Sequence, residues 1–159
     1  MKTMLRIIPA QTEDHYRRAR QLFQQYADAL GFDIEFQGFS QELAALPGEY
    51  APPQGCILLA ERADKFVGCV ALRPQGKGIC EMKRLYVIPG YRKRKYGRAL
   101  AEAIIERANV IGYERIRLDT VESMTVAQAL YHSLGFRLIK PYRYNPLAGA
   151  SYFELNLRK

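Results

Sequence analysis

The sequence has no tryptophan, only two histidines and three cysteines, and no long apolar run. Each shortage excludes something. Cys56, Cys69 and Cys80 are odd in number, widely spaced and contain no C-x-x-C pair. They therefore read as small buried hydrophobes, with neither a disulfide framework nor a metal site expected. Apolar stretches such as Cys56–Ala60 fall far short of the roughly 18 residues that suggest a membrane span. The opening Met1-Lys2-Thr3-Met4-Leu5-Arg6 has no signal-peptide core, since Arg6 interrupts it, and a cytoplasmic location is expected. No internal repeat and no low-complexity tract occur. A P-loop and a G-x-G-x-x-G fingerprint are absent as well.

What is present is an ordinary globular composition, 48% hydrophobic and 25% charged over 159 residues. Disorder, collagen and coiled coil are excluded, and residues 1–159 are expected to form a single domain. The net charge of +8 is less ordinary. Seven of the 24 basic residues lie between Lys83 and Arg98, a window with no acid. The other 17 face 16 acids, so the rest of the chain is near neutral. A basic excess points to polyanions, and here the excess is local.

Apolar spacing predicts a strand at Leu5–Pro9 and a helix capped by Thr12 that runs to Leu30, with Gly31 as its stop. A short helix follows at Ser40–Leu46. Strands are predicted at Gly55–Glu61, Lys65–Leu72 and Gly78–Val87, with a turn at Ala63-Asp64. Then come a helix at Gly97–Ile111, a strand at Arg115–Thr120, a helix capped by Ser123 and running to Leu134, and strands at Phe136–Lys140 and Ser151–Leu157. Hairpins together with βαβ crossovers imply a mixed α/β sheet with helices on its faces.

The third of the hairpin-group strands runs into Ile88-Pro89-Gly90-Tyr91-Arg92-Lys93-Arg94-Lys95-Tyr96-Gly97-Arg98 and then into a helix. A strand–loop–helix passage aims free N–H groups and the positive end of the helix dipole at whatever lies in front. Basic residues at that point favour a phosphate ligand over a solvated face or a nucleic-acid patch.

Here the chain resembles the GNAT superfamily of N-acetyltransferases, from about Leu5 to Leu157. Arg92-Lys93-Arg94-Lys95-Tyr96-Gly97 looks like that family's Q/R-x-x-G-x-G/A motif. Ala127, Leu130-Tyr131 and Gly135-Phe136 look like its A-x-x-L-Y-x-x-x-G-F element. Lys95 stands where the family has its first glycine, and Met124 where many members carry an asparagine. The resemblance implies a mostly antiparallel twisted sheet of about seven strands flanked by about four helices. It also implies acetyl transfer from acetyl-CoA to an amine, with Leu85, Tyr86 and Val87 pairing with the pantetheine. Arg92, Lys93, Arg94, Lys95, Tyr96, Gly97 and Arg98 would hold the pyrophosphate, and the Leu85 N–H would polarise the acetyl carbonyl.

The carry-over makes Glu81, eleven residues before Arg92, the general base, with Glu122 in reserve. Tyr131 becomes the acid for the leaving thiolate. Strand alternation puts Glu81, Lys83, Leu85 and Val87 on one face unless a bulge intervenes. His132 is read as exposed, and His15, in the first turn of the first helix, as similarly without a role. In the loop Pro141–Pro146, Arg143 is a receiver for an acceptor carboxylate, with Phe36, Phe39 and Tyr50 as an opposite wall. The expected partner is a small-molecule amine, of a kind that can bear a carboxylate, with no membrane and with room for a homodimer. The alternatives are a protein acetyltransferase, an acetyl-CoA-binding module without turnover, and a nucleic-acid-binding protein.

Overall fold

The computed structural model describes residues 4–31 and 33–158. Along them run β1 (Arg6–Pro9), α1 (Glu13–Leu30), α2 (Phe39–Ala45), β2 (Cys56–Arg62), β3 (Lys65–Gly76) and β4 (Ile79–Val87). Then follow α3 (Tyr96–Ile111), β5 (Arg115–Thr120), α4 (Thr125–Ser133), β6 (Arg137–Ile139) and β7 (Ser151–Asn156). Among the described residues no helix is long and apolar enough to cross a membrane.

Local chemistry sets most boundaries. The Thr12 hydroxyl accepts from the His15 N–H at 3.1 Å and so occupies a donor that the first turn of α1 cannot satisfy. Gly31, at φ 74°, ends that helix in the left-handed conformation that glycine adopts without penalty. Two expectations need correction. The residue before α4 is Met124 rather than Ser123, and it makes no side-chain cap. β3 passes its expected end at Leu72 and runs through Pro74 to Gly76, with an irregular register between those two residues. Such an irregularity is where a strand tolerates a proline.

The seven strands form one sheet in the order β1-β2-β3-β4-β5-β7-β6. Every neighbouring pair is antiparallel except β4–β5, which are parallel and joined by the α3 crossover. This is the mixed, mostly antiparallel sheet with four helices that the resemblance implied. Helices α3 and α4 cover one face, over Leu58, Met82, Ile116 and Phe153. Helices α1 and α2 cover the other, over Ile57, Leu59 and Ala71. Burial on both faces explains the unbroken apolar run of β2, since neither side of that strand meets water. Cys56, Cys69 and Cys80 are all free and buried. Burial pushes their thiols up, that of Cys80 to about 12, which leaves them little thiolate at neutral pH.

Two departures from regular pairing open the centre of the sheet. On β4, Lys83 faces Ala71 and Tyr86 faces Cys69, so Arg84 and Leu85 together oppose the single residue Val70. This is a β-bulge, and Arg84 occupies it at φ 62°. The extra residue reverses the alternation. Glu81 and Lys83 face the α1 side, whereas Leu85 and Val87 pack with Met82 toward α3. The single-face expectation for these four residues is therefore overturned. The second departure lies between β4 and β5, which pair only at Ile79–Arg115, Cys80–Ile116 and Glu81–Arg117 and then diverge.

Candidate active site

Two cavities meet where β4 and β5 separate. The first is a groove of about 580 Å³ along β4 and the start of α3, with mostly apolar walls. Leu85, Tyr86 and Val87 line it, as do Arg92, Lys93, Lys95, Tyr96, Gly97 and Arg98. Nine of the ten residues expected to bind the cofactor thus share one wall. Arg94 does not; its guanidinium lies over the Tyr91 ring at 5.1 Å.

The groove's chemistry fits a long, partly apolar ligand that ends in phosphates. α3 starts there without a side-chain cap, so its first N–H groups and dipole face the groove. A Cβ built at Gly97 would meet nothing within 4 Å. The backbone at the helix start is therefore open to a ligand's close approach. Lys95, before the helix, sits at φ 63°, the conformation a glycine would adopt without strain. Arg92 donates to the Val87 carbonyl at 2.9 Å and stacks over Tyr86 at 5.5 Å, so its position is fixed. Arg98 donates to the Ser133 hydroxyl at 2.9 Å.

The second cavity is a chamber of about 40 Å³ between the diverging strands. Its polar lining comprises Gln37, Lys83, Arg84, Asp119, Thr120 and Asn145, with the Tyr131 side chain alongside. Tyr26, Leu30, Leu85 and Met124 line both cavities, so these four residues form the junction.

Arg84 builds one chamber wall. Its guanidinium makes two 2.9 Å bonds to the Glu42 carboxylate and a third to the Gln37 amide oxygen, between the rings of Phe39 and Tyr26. These contacts hold the start of α2 and the 3-10 turn at Glu35–Gln37 against β4. They offset the roughly 1–3 kcal/mol cost of a non-glycine residue in the left-handed region. Lys83 also donates to the Gln37 oxygen, at 3.0 Å. Burial pushes its ammonium down to about 8, despite the opposing charges of Glu81 and Asp119. Across the chamber Asp119 accepts from the Asn145 amide at 3.1 Å.

Glu81 is placed differently from the expectation. It is wholly buried and lines neither cavity. Its carboxylate accepts from Arg73 at 2.9 Å and from the Tyr142 hydroxyl at 2.8 Å, and it forms an ion pair with Arg143 at 2.7 Å. Burial alone would raise its pKa, but the charges of Lys83, Arg73 and Arg143 and the phenol bond outweigh that and lower it. A carboxylate so occupied is a poor base and a good anchor. Arg143, expected to meet an acceptor's carboxylate, meets Glu81 instead. Glu122 is exposed and lines neither cavity. Phe39 and Tyr50 belong to the core on the α1 side, so they do not form an acceptor wall, and Phe36 is exposed.

Tyr131 is buried against Phe136 at a ring distance of 5.7 Å, and burial raises its phenol pKa. It therefore stays protonated and able to donate. His132, expected to be bland, is exposed and makes an edge contact with Phe153. The basic window of the sequence divides in space. Lys83 and Arg84, only 6% and 3% exposed, turn inward to the chamber, while the later cations flank the groove and the α3 start. Nothing in the sequence marked Asp119, Gln37 or Tyr26. Each comes into place only through the bulge and the divergence of the two central strands.

A family model described as the acetyltransferase (GNAT) family matches residues 10–136. A Schizosaccharomyces pombe protein named as an uncharacterised N-acetyltransferase is 39% identical over 142 residues, covering 88% of this chain and 87% of that protein. A GNAT-family acetyltransferase from Staphylococcus aureus superposes with a TM-score of 0.81 at 22% identity, covering 98% of this chain and 100% of the other. A Salmonella typhimurium protein assigned as an acetyltransferase and solved with its cofactor acetyl-CoA superposes with a TM-score of 0.69 at 17% identity, covering 98% of this chain and 95% of the other.

Proposed function

The chain belongs to the GNAT family of acetyltransferases, and on that premise we propose that it transfers the acetyl group of acetyl-CoA directly to a primary amine of a small molecule. Acetyl-CoA brings the acetyl group already activated as a thioester. The observation that carries the small-molecule reading is the junction at Tyr26, Leu30, Leu85 and Met124, where a long groove opens into a chamber of only about 40 Å³. So narrow a space admits the amine end of a slender acceptor, whereas a folded protein loop needs an open trough.

Within this reading the groove residues bind the donor. Lys93, Lys95 and Arg98 flank the α3 start and neutralise phosphate charge. Leu85 follows the bulged Arg84 and lies at the junction. Its N–H is assigned to the thioester carbonyl, and a preorganised donor of this kind is worth about 3–4 kcal/mol in acyl transfer. Tyr131 holds its proton for the departing sulfur. Glu81 is a positioning residue, since it ties Tyr142 and Arg143 to β4 and so fixes the loop before β7.

Thermal denaturation with and without acetyl-CoA tests the donor site. At a hundred times its Kd the ligand adds about 2.7 kcal/mol of stability. Free-thiol release over a panel of small amines tests the transfer. Binding without thiol release from any amine makes the chain a binding module, and release only with peptide substrates makes it a protein acetyltransferase.

A further inference from the structure

Charges around the chamber pair off until one of each sign remains. Glu42 is matched by Arg84, and Glu81 by Arg73 and Arg143. Among the described residues, Lys83 and Asp119 are left without an ion-pair partner, and both line the chamber. Lys83 is only 6% exposed and its one hydrogen bond is to a neutral amide oxygen. A buried ammonium with so little compensation is costly, and an ammonium has three donors to satisfy. On β5, across the gap between the diverging strands, Thr120 lines the same chamber; its hydroxyl is buried, the residue being 2% exposed, and has no hydrogen-bond partner among the described residues. Two buried donor groups with unused capacity in one small space call for an acceptor-rich anion, and a carboxylate is the smallest organic one.

We propose that the amine acceptor is a zwitterion, an amino acid or similar short amino carboxylate, with its carboxylate on Lys83 and Thr120 and its ammonium on Asp119. This rests on the transferase reading and names its substrate class. It also moves carboxylate recognition from Arg143, which Glu81 occupies, to β4 and β5. Asp119 gives one carboxylate oxygen to Asn145 and keeps acceptor capacity for an ammonium. As the C–N bond forms and the C–S bond breaks, the nitrogen gives up two protons. One leaves through Asp119 to water, and the other restores the phenol proton that Tyr131 gives to the sulfur.

The test compares kcat/KM for amino acids with kcat/KM for the matching decarboxylated amines and carboxamides, read by free-thiol release with acetyl-CoA. Wild type should favour the carboxylate-bearing member by at least tenfold. Lys83→Met and Lys83→Gln should reduce that ratio to within about threefold of unity, while Lys83→Arg retains part of it. Thermal denaturation of each variant separates lost selectivity from lost folding. A wild-type preference below tenfold for the carboxylate-bearing member, or for the decarboxylated amines or carboxamides, overturns the zwitterion and keeps the transferase, as does a carboxylate preference that survives both neutral substitutions. Release of no thiol with any amine overturns both.

Discussion

Glu81 and Arg143 meet at 2.7 Å inside the protein, and this contact ties the loop before β7 to the central strand of the sheet. Glu81→Gln leaves Arg143 and Arg73 facing a neutral amide. Breaking a buried pair by removing one partner costs about 3–5 kcal/mol, and urea denaturation should read a loss of that size. The pH dependence has a definite sign. The carboxyl is held below its ordinary 4.5 in the folded chain, so the unfolded chain takes up the proton first on acidification. The stabilisation is complete above about pH 4.5 and is lost as pH falls through the folded value. Wild type should therefore lose stability below that pH more steeply than Glu81→Gln.

Tyr131→Phe keeps the ring that packs on Phe136 and removes only the hydroxyl. Positioned acids and bases contribute about 10²–10⁴-fold to rate, so kcat should fall by at least a hundredfold. Acetyl-CoA affinity, measured by calorimetry, should change less than threefold. An unchanged kcat would remove the phenol from the mechanism.

The contrast between Tyr131 and Glu81 shows which kind of inference a linear sequence supports. Strand and helix order followed from local signals such as the Thr12 cap, Gly31 and the apolar spacing of α3. The motif residues around Arg92 and Tyr131 are contiguous, so their neighbourhood survives folding. Glu81 depends on partners 8, 61 and 62 residues away, namely Arg73, Tyr142 and Arg143. Its environment is a property of the sheet. The bulge at Arg84 has the same character, because only its pairing with β3 reveals that the face of the strand changes. Asp119 and Thr120 looked like ordinary strand residues until the divergence of β4 and β5 exposed them to a shared space.

Lys95 sits at φ 63° just before α3, where a glycine rests without strain. Lys95→Gly should therefore raise the melting temperature of the ligand-free protein by a few degrees, the equivalent of about 1 kcal/mol at this size. It should also weaken acetyl-CoA roughly tenfold, the scale of one charge-assisted hydrogen bond, with the gap shrinking at high salt. Calorimetry at two ionic strengths measures both. Tighter binding by the glycine variant would instead mean that the lysine crowds the pyrophosphate.

Lys83 reverses the linkage seen for Glu81. Its folded pKa is about 8 against an ordinary 10.5, because burial outweighs the attraction of Glu81 and Asp119, and Arg84 and Arg73 repel it further. Between those values the unfolded chain holds a proton that the native chain lacks, so stability rises with pH across that window. Well below pH 8 the charged side chain costs the fold on the order of 3 kcal/mol. Lys83→Met removes the ammonium and retains apolar volume, while Arg84 still occupies the Gln37 oxygen. The variant should be more stable than wild type at pH 7, and its midpoint should lose the rise between pH 8 and 10.5. A less stable variant would make Lys83 a structural ion. A more stable one with lost preference for carboxylate-bearing amines would mean that the fold carries a buried charge for its substrate.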